Sequence, residues 1–356
     1  MSTFTLEPQY LYKLSTMGPR GMNTTRPVPA DHNCNMPYRY ITVDYLGNCL
    51  LCHCDGWLPI PVGKVTDFDS IEEVFASTSA KMLQQDIDDK KYSYCAVNHC
   101  GIRKTPVRVK GFELAINIDE SCNLQCASCR REPIMHTKGP EFDFKLQCIE
   151  RIISWLDKFD KPLRIVTSGN GDVLASHIMR PLLQKWKYKQ SQTFILFTNG
   201  LLLRKQLEKL PILSAIKEFS ISIDAASQAV YEDVRRPGKW SVLLNNLEFL
   251  KEQNLNHLIN FKFIVQRRNY QDLPNLVRLV EQFDCRALVS ELQDWGTWAH
   301  FRTGNDDAWT QANGIYSDHD VLNPQHPEHK VACDVIRSIR NHPEITLQPM
   351  VKQAIR

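Results

Sequence analysis

The sequence predicts an α/β fold in which strands alternate with covering helices. Six short runs have the length and apolar character of strands, and they lie at 112–118, 163–167, 193–197, 218–223, 260–265 and 286–290. Amphipathic stretches with helical spacing separate them, for example Gln147 to Phe159 and Ser241 to Gln253. This alternation favours a parallel sheet covered by helices. Periodicity alone leaves two architectures open, an open doubly wound sheet and a barrel.

The composition is that of a globular protein. Hydrophobic residues make up 43% of the 356 residues and charged residues 23%. The 43 Lys and Arg nearly balance the 40 Asp and Glu, so we expect no nucleic-acid partner. No run approaches the roughly 18 apolar residues of a membrane span, and Met1 to Lys13 lack the pattern of a signal peptide. We therefore expect a cytoplasmic protein without a membrane partner.

The pattern along the chain predicts four regions. Residues 1–32 are an irregular leader rich in Pro and Gly, and 33–104 form a small cysteine-rich unit. In that unit, Ser70 is placed as the N-cap of a helix, with Glu73 at the capping-box offset. The strand–helix unit occupies 108–300, and 301–356 form a C-terminal extension. The extension contains four irregularly spaced histidines that we expect to be solvated or capping: His319, His326, His329 and His342.

Three cysteines carry the strongest chemical information. Cys122, Cys126 and Cys129 form a C-x₃-C-x₂-C string directly after the first predicted strand of the strand–helix unit. Three thiolates on one loop can hold three irons of a 4Fe–4S cluster and leave the fourth iron open to a small molecule. Zinc is the alternative, with His136 or Cys148 as a fourth ligand. The twelve cysteines of a chain without a signal peptide indicate metal binding or catalysis rather than disulfides.

The string from Asn117 to Cys129 resembles the cluster loop of the radical S-adenosylmethionine (SAM) enzymes. In that family the open iron binds SAM, and the reduced cluster cleaves it to methionine and a 5′-deoxyadenosyl radical that abstracts a hydrogen atom. The resemblance implies a partial (β/α)₆ TIM-like barrel with its site at the carboxyl ends of the strands. Ser128 departs from the family, which often has an aromatic residue there.

The ends of the later strands resemble the SAM-binding motifs of the same family. The resemblance implies that backbone and side chains at these ends contact SAM. Glycine in the first of these loops would let the backbone approach the ligand closely. Ser222 and Asp224 are two residues apart and so share a face of the predicted strand. Arg235 and Arg236 are alternatives for the SAM carboxylate, and Gln266 is a weaker candidate. The predicted contacts are Gly169, Asn170, Gly171, Asp172, Asn199, Ser222, Asp224 and Arg236.

A second cysteine set lies in the N-terminal unit. Cys34, twelve residues, Gly47, four residues and Cys52 resemble the opening of a SPASM domain, the auxiliary-cluster module of peptide-modifying radical SAM enzymes. The resemblance implies a second 4Fe–4S cluster in a small SPASM or twitch-like domain, although that module usually follows the barrel. Zinc remains an alternative metal, and Cys54 is an alternative to Cys52. The predicted ligands are Cys34, Cys52, Cys95 and Cys100.

The expected function follows from these resemblances. The auxiliary module favours a peptide or protein substrate, whereas many chemistries share the barrel. Modification of a sugar, nucleotide or other small molecule is one alternative, with Trp295 and Trp298 as possible stacking residues. A non-enzymatic iron–sulfur electron carrier is another, and SAM binding would distinguish it. The reaction implies an external one-electron reductant such as a flavodoxin or ferredoxin.

Overall fold

Ten strands form a single sheet within the part of the chain that the structure describes. The computed structural model describes residues 33–53, 58, 60–95, 110–130, 133–167, 170–207, 210, 213–293 and 314–356. The strands are β1 (Tyr40–Val43), β2 (Asn48–Leu50), β3 (Pro61–Lys64), β4 (Phe112–Ile116), β5 (Leu163–Thr167), β6 (Gln192–Thr198), β7 (Ile216–Ser222), β8 (Ile259–Val265), β9 (Arg286–Glu291) and β10 (Ile345–Leu347). The six predicted strands are β4 to β9, and each is confirmed to within two residues at either end.

Strands β4 to β9 lie side by side in the order in which they occur along the chain, and each neighbouring pair is parallel. A doubly wound sheet would reverse its direction at a switch point. A sheet that winds in one direction through right-handed crossovers places its helices on one face. The fold is therefore α/β with a mostly parallel sheet, and its winding is consistent with the predicted partial barrel.

The helices begin where the local sequence favours a helix start. Ser70 Oγ accepts a hydrogen bond from Glu73 N at 3.2 Å, so Ser70 is the N-cap as predicted. The Glu73 carboxylate accepts from the backbone N of Asp69, the residue before the N-cap, at 2.7 Å. Pro140 lies in the first turn of the longest helix, where its missing N–H costs nothing. The helices are α1 (Ile71–Ala76), α2 (Thr78–Asp88), α3 (Pro140–Lys158), α4 (Arg180–Lys185), α5 (Leu203–Leu207), α6 (Gln228–Val234), α7 (Trp240–Glu252), α8 (Leu273–Phe283), α9 (His329–Ile339) and α10 (Pro349–Ala354).

The two faces of the sheet differ in polarity. Paired residues on neighbouring strands point to the same side, so the register assigns each side chain to a face. One face carries buried apolar residues such as Leu114, Ile165 and Phe261, which share one continuous core with the helices. We call the opposite face the polar face. Its residues include Tyr40, Glu113, Arg164, Thr193, Glu218, Ser220, Asn260, Lys262 and Arg286.

The N-terminal unit extends the same sheet. Strand β1 is parallel to β4, with Tyr40 opposite Glu113. Strands β2 and β3 continue it as antiparallel neighbours, and Gly47 makes the turn between β1 and β2 with a φ of +76°. The sheet is therefore continuous from the N-terminal unit to the strand–helix unit, while the predicted domain division itself stays a prediction. The predicted leader, 1–32, lies outside the described residues.

The C-terminal extension adds β10 at the other edge of the sheet, parallel to β9. Its histidines are not simply solvated, since His319 and His326 are only 5% and 8% exposed. His326 fits the capping alternative, because its Nδ1 accepts from Glu328 N at 3.0 Å beside the start of α9. None of the helices in the described segments combines the length and apolarity needed to cross a membrane.

Candidate iron–sulfur and SAM site

The three predicted cluster ligands lie on the segment that follows β4, which we call the cluster loop (residues 117–130). Cys126 is 6% exposed, Cys122 is half-buried and Cys129 is exposed. Cys122 N donates to Ile134 O at 2.9 Å, and Cys129 N donates to Cys126 O at 3.1 Å. The thiols therefore lie on a short, hydrogen-bonded turn at the carboxyl end of a parallel strand.

Backbone hydrogen bonds from distant segments hold the cluster loop in place. Gln125 N donates to Arg236 O at 2.6 Å, and Ala127 N donates to Val234 O at 3.1 Å. On the other side, Asp172 N donates to Ser121 O at 2.8 Å. The loop is thus held between the end of α6 and the segment after β5, which organises it before any cofactor binds.

The buried carboxylate of Asp119 stabilises the start of the cluster loop. Asp119 is 7% exposed, and its Oδ1 accepts from Ser121 N at 3.2 Å and from Ser121 Oγ at 3.1 Å. Its Oδ2 accepts from Ser176 Oγ. Ser121 Oγ in turn accepts from His136 N at 2.9 Å. These bonds fix the approach of the chain to Cys122.

Both residues proposed as a fourth zinc ligand have other surroundings. His136 lies with Glu120 and Glu141, whose ligand atoms are all within 4.8 Å of one another. The Lys145 ammonium contacts Glu141 at 2.7 Å, so this acidic pair already has a cation. Cys148 is fully buried, and a Cβ added to Gly47 would lie 3.1 Å from its sulfur. The zinc alternative, with His136 or Cys148 as a fourth ligand, stays a prediction.

Two arginines lie among the thiols. Arg235 Nη1 is 3.4 Å from Cys126 Sγ, and Arg235 Nη2 is 2.7 Å from Asp224 Oδ2. Burial lowers the pKa of Arg130, but the attraction of Cys129 and Cys122 outweighs it, so the pKa is raised. Arg130 also donates to Glu120 O at 2.6 Å and to Asn170 O. Neither arginine is among the predicted cofactor contacts, although Arg235 was the alternative to Arg236 and Arg130 directly follows Cys129.

The donor set fits a 4Fe–4S cluster. Burial raises the pKa of the Cys122 thiol to about 12, and it also raises the pKa of Cys126 against the lowering effect of Arg235. Metal binding must therefore displace protons from these thiols. The guanidinium groups of Arg130 and Arg235 then compensate the negative charge of three thiolates in a partly buried site. Cluster binding by Cys122, Cys126 and Cys129 stays a prediction that these surroundings support.

The glycine-containing segment after β5 lies against the cluster loop. A Cβ on Gly171 would lie 2.4 Å from Ser121 O and 2.8 Å from Glu120 C. Glycine is therefore required here because two backbone segments approach each other closely. The expectation from the sequence is instead that the same glycine lets the backbone approach SAM closely. Asn170 Nδ2 donates to Asn117 O at 2.9 Å, so it also braces the loop. Gly169 lies outside the described residues.

Asp172 is fully engaged by neighbouring donors. Its Oδ1 accepts from Leu174 N at 3.0 Å and Ala175 N at 3.1 Å, and its Oδ2 accepts from Thr198 Oγ1 at 2.9 Å and Asn199 N at 2.6 Å. Burial raises the pKa of Asp172, which these donors oppose. The carboxylate ties the segment after β5 to the end of β6, so any help it gives to SAM binding would be through positioning.

The remaining predicted contacts are distributed around the same end of the sheet. Asn199 Nδ2 is 3.9 Å from Cys122 Sγ and donates to Asn123 Oδ1 at 2.8 Å. Ser222 lies at the end of β7 on the polar face, paired with Lys262. Asp224 does not share a strand face with it as predicted, because β7 ends at Ser222 and Asp224 has a left-handed φ of +49°. Its carboxylate accepts from Ile264 N at 2.8 Å and pairs with Arg235.

Arg236 and Gln266 have contrasting environments. Arg236 Nε donates to Asp233 O at 2.7 Å, at the end of its own helix. Gln266, which directly follows β8, is 1% exposed. Within the described part of the chain, neither its amide nitrogen nor its amide oxygen has a hydrogen-bond partner. A buried amide without partners is costly, so Gln266 is a candidate to contact a bound molecule.

A comparison with protein families identifies the unit that contains this site. Residues 116–280 match the family model described as the radical SAM superfamily, and the match includes the cluster loop and strands β5 to β8. Residues 116–280 therefore resemble a radical SAM domain. Two curated proteins resemble about half of the chain, and both are named as enzymes.

One is the probable GTP 3′,8-cyclase of Methanocaldococcus jannaschii, 26% identical over 180 residues, which cover 51% of this chain and 57% of the relative. The other is the AdoMet-dependent heme synthase of Oleidesulfovibrio alaskensis, 26% identical over 177 residues, which cover 49% and 43%. The chain spans about half the length of the curated relatives it matches.

Two solved structures whose names state that SAM is bound are also similar. Streptococcus suis SuiB bound to S-adenosylmethionine has 15% identity and a TM-score of 0.42, and the match covers 78% of this chain and 63% of that chain. Native anSMEcpe with bound AdoMet has 16% identity and a TM-score of 0.38, and covers 51% of each chain.

The described members of the second cysteine set lie near β1. Cys34 packs against a small cluster of Met36, Tyr40 and Ala115, whereas Cys52 is a buried member of the main core. Cys95 is half-buried against the main core. Cys54 and Cys100 lie outside the described residues, and the four-cysteine set stays a prediction.

Proposed function

We propose that the chain is a radical SAM enzyme that binds a 4Fe–4S cluster through Cys122, Cys126 and Cys129. The observation that carries this proposal is the braced cluster loop at the carboxyl end of β4, inside a region that matches the radical SAM family. A bound, reduced cluster supplies the electron that cleaves SAM into methionine and a 5′-deoxyadenosyl radical for hydrogen abstraction. Its electron comes from an external one-electron donor such as a flavodoxin or ferredoxin.

The chain's own residues would bind and orient SAM. Asn199 lies next to Cys122, and Ser222 lies on the polar face of the sheet. Gln266 offers a buried donor and acceptor with no other partner among the described residues. Gly171 and Asp172 act indirectly, because they fix the cluster loop and the end of β6. Hydrogen abstraction by a radical needs no acid or base, so we assign none.

A peptide or protein substrate is the version of this function that we favour. Cys34 packs against the cluster that contains Tyr40, whose side chain belongs to the polar face of β1, and Cys52 and Cys95 pack in or against the main core. A second cluster held by Cys34, Cys52, Cys95 and Cys100 would lie beside β1, where it could accept the electron left on a radical product. Lys262 and Glu218, which form an ion pair at 3.3 Å, place charged groups on this face for a polar substrate.

A nucleotide or other small-molecule substrate is the second candidate. It is favoured by the similarity of the chain to a protein named as a probable GTP 3′,8-cyclase. Trp295 and Trp298, the residues proposed to stack on such a substrate, lie outside the described residues. The two candidates differ in which added compound stimulates formation of 5′-deoxyadenosine.

Iron analysis tests the cluster assignment. The wild-type chain, reconstituted under anaerobic conditions, should contain about eight irons. The variant Cys122→Ala/Cys126→Ala/Cys129→Ala and the variant Cys34→Ala/Cys52→Ala/Cys95→Ala should each retain about four. Cys333 is a buried thiol remote in sequence from both cysteine sets, so Cys333→Ala is the matched control and should retain all of the iron.

The outcomes separate the parts of the proposal. The wild type could instead hold about four irons, all of them lost in the first variant, with zinc at the second cysteine set. That result would contradict the auxiliary cluster and weaken the proposal of a peptide substrate. Zinc in place of all iron would contradict the radical reaction. SAM cleavage that proceeds with a candidate peptide but transfers no deuterium from the labelled peptide to 5′-deoxyadenosine would contradict abstraction from that peptide.

A further inference from the structure

The side chain of Arg235 joins a predicted cluster ligand to a buried carboxylate. Its Nη1 donates toward Cys126 Sγ at 3.4 Å, and its Nη2 contacts Asp224 Oδ2 at 2.7 Å. The side chains of Arg235 and Asp224 are 12% and 6% exposed. Arg235 therefore presents a fixed N–H group and a positive charge to one thiol from within the protein.

Asp224 determines where the guanidinium lies. Its second oxygen accepts from Ile264 N at 2.8 Å, and its backbone carbonyl accepts from Asn269 Nδ2 at 2.9 Å. Asp224 also has the left-handed φ of +49°, a conformation that costs free energy in a residue with a side chain. The carboxylate is thus held rigidly, and Arg235 is held through it.

A buried ion pair of this kind contributes little net stability, because desolvation of both groups offsets their attraction. Its position beside Cys126 gives it a chemical consequence. Hydrogen bonds to cluster sulfurs and nearby positive charge stabilise the reduced, more negative state of an iron–sulfur cluster. Low solvent exposure strengthens this effect, since the local dielectric is lower than that of water.

We propose that Arg235 raises the reduction potential of the cluster held by Cys122, Cys126 and Cys129, and that Asp224 limits this effect by partly neutralising the guanidinium. The inference rests on the proposed function, since it requires a cluster at these cysteines. Arg235 acts on the acceptance of one electron from an external low-potential donor. It is a tuning residue and takes no part in bond cleavage.

The neighbouring arginine provides a matched control. Arg236 carries the same charge one residue later, and its Nε donates to Asp233 O at 2.7 Å. If the effect came from general positive charge at the end of α6, both residues would contribute equally. If it comes from the contact with Cys126, only Arg235 will.

The test is an anaerobic redox titration of the full-length reconstituted chain with dithionite, followed by electron paramagnetic resonance. The signal to follow is the one that disappears in Cys122→Ala/Cys126→Ala/Cys129→Ala. Arg235→Met should lower the reduction equilibrium constant at least tenfold, which for a one-electron couple is a shift of about 59 mV to a more negative potential. Arg235→Lys should give a smaller shift of the same sign, and Arg236→Met none.

Asp224→Asn should shift the potential in the opposite direction, because it removes the negative charge while its Oδ1 can still accept from Ile264 N. Equal potentials in Arg235→Met and Arg236→Met, or shifts of the same sign in Arg235→Met and Asp224→Asn, would overturn the inference. If Arg235→Met does not load iron, the potentials of Asp224→Asn and Arg235→Lys test the inference instead. Unchanged potentials in both variants would overturn the inference. Absence of a cluster in the wild type would instead contradict the proposed function.

Discussion

Gly171 is a residue whose identity is fixed by the backbone opposite it. An added Cβ would lie 2.4 Å from Ser121 O, and backbone atoms cannot move aside as a flexible side chain can. The same contact region contains the hydrogen bond from Asp172 N to Ser121 O, so a displacement would be transmitted to Cys122. The cluster loop therefore depends on a glycine that is not itself a ligand.

We expect Gly171→Ala to lower the free energy of unfolding by about 1–3 kcal/mol, the usual cost of overpacking. We also expect it to reduce the iron retained by Cys122, Cys126 and Cys129 after desalting. Urea unfolding and iron analysis measure the two effects. Gly111→Ala is the matched control, because its Cβ would lie 4.0 Å from the nearest atom, Pro162 O. Full iron retention in Gly171→Ala would contradict this expectation.

Cys285 gives a prediction about pH. Burial raises the pKa of its thiol from the ordinary 9.0 to about 12, with a further contribution from Asp284. In the unfolded chain this thiol ionises first, so its contribution to stability is complete below pH 9 and is lost between about pH 9 and 12. Wild type should therefore lose more stability than Cys285→Ala between pH 8 and pH 10 in urea titrations. Parallel losses in the two proteins would show that the thiol ionises normally.

Arg235 and Arg130 illustrate which site residues a sequence can reveal. The cysteine spacing alone indicates a cluster, because three ligands on one loop are local in sequence. Arg235 comes close to Cys126 only because the end of α6 hydrogen-bonds to the cluster loop, through Val234 O and Arg236 O. A chain position cannot distinguish Arg235 from Arg236, whereas the structure shows that Arg235 contacts Cys126 Sγ and that Arg236 Nε donates to Asp233 O.

At the scale of elements, Asp172 links two strand ends. Four donors from the segment after β5 and from the end of β6 converge on its carboxylate. We expect Asp172→Ala to destabilise the fold by about 3 kcal/mol, because it leaves these buried donors without an acceptor. Asp160→Ala is the control, since Asp160 is 86% exposed in its ion pair and should cost less than about 1 kcal/mol. Equal effects in urea unfolding would contradict the linking role.

The strands of the strand–helix unit were predictable because each is a short apolar or alternating run bounded by turn residues. Strand β8 is the clearest, since buried and half-exposed residues alternate along it. Strand β10 was missed because Ile345–Leu347 is too short to show a period. Helix α9 was missed although its buried residues Ala332, Cys333, Ile336 and Ile339 have helical spacing. The pairing of β1 with β4 was also missed, since no local pattern specifies a partner that distant in sequence.

For the whole molecule, the continuity of the sheet predicts that the N-terminal unit is needed for a soluble fold. Strand β1 covers the edge of β4, and Val43 and Ile41 belong to the same core as Leu114. A fragment of residues 105–356 would expose the backbone groups of β4 and part of this core. We expect it to aggregate, whereas the full chain should elute from a sizing column as a discrete species. A soluble, monomeric fragment would support two independently folding domains.

The hydrogen bonds that hold the cluster loop can form only late in the synthesis of the chain. Their partners include Ile134, Asp172, Val234 and Arg236, all of which follow the loop in the chain. A ribosome releases the chain from its N-terminal end, so Cys122, Cys126 and Cys129 emerge before the segments that hydrogen-bond to the loop. Until residue 236 has emerged, these hydrogen bonds cannot all form. Loading of the predicted cluster would therefore be productive only after most of the chain has been synthesised.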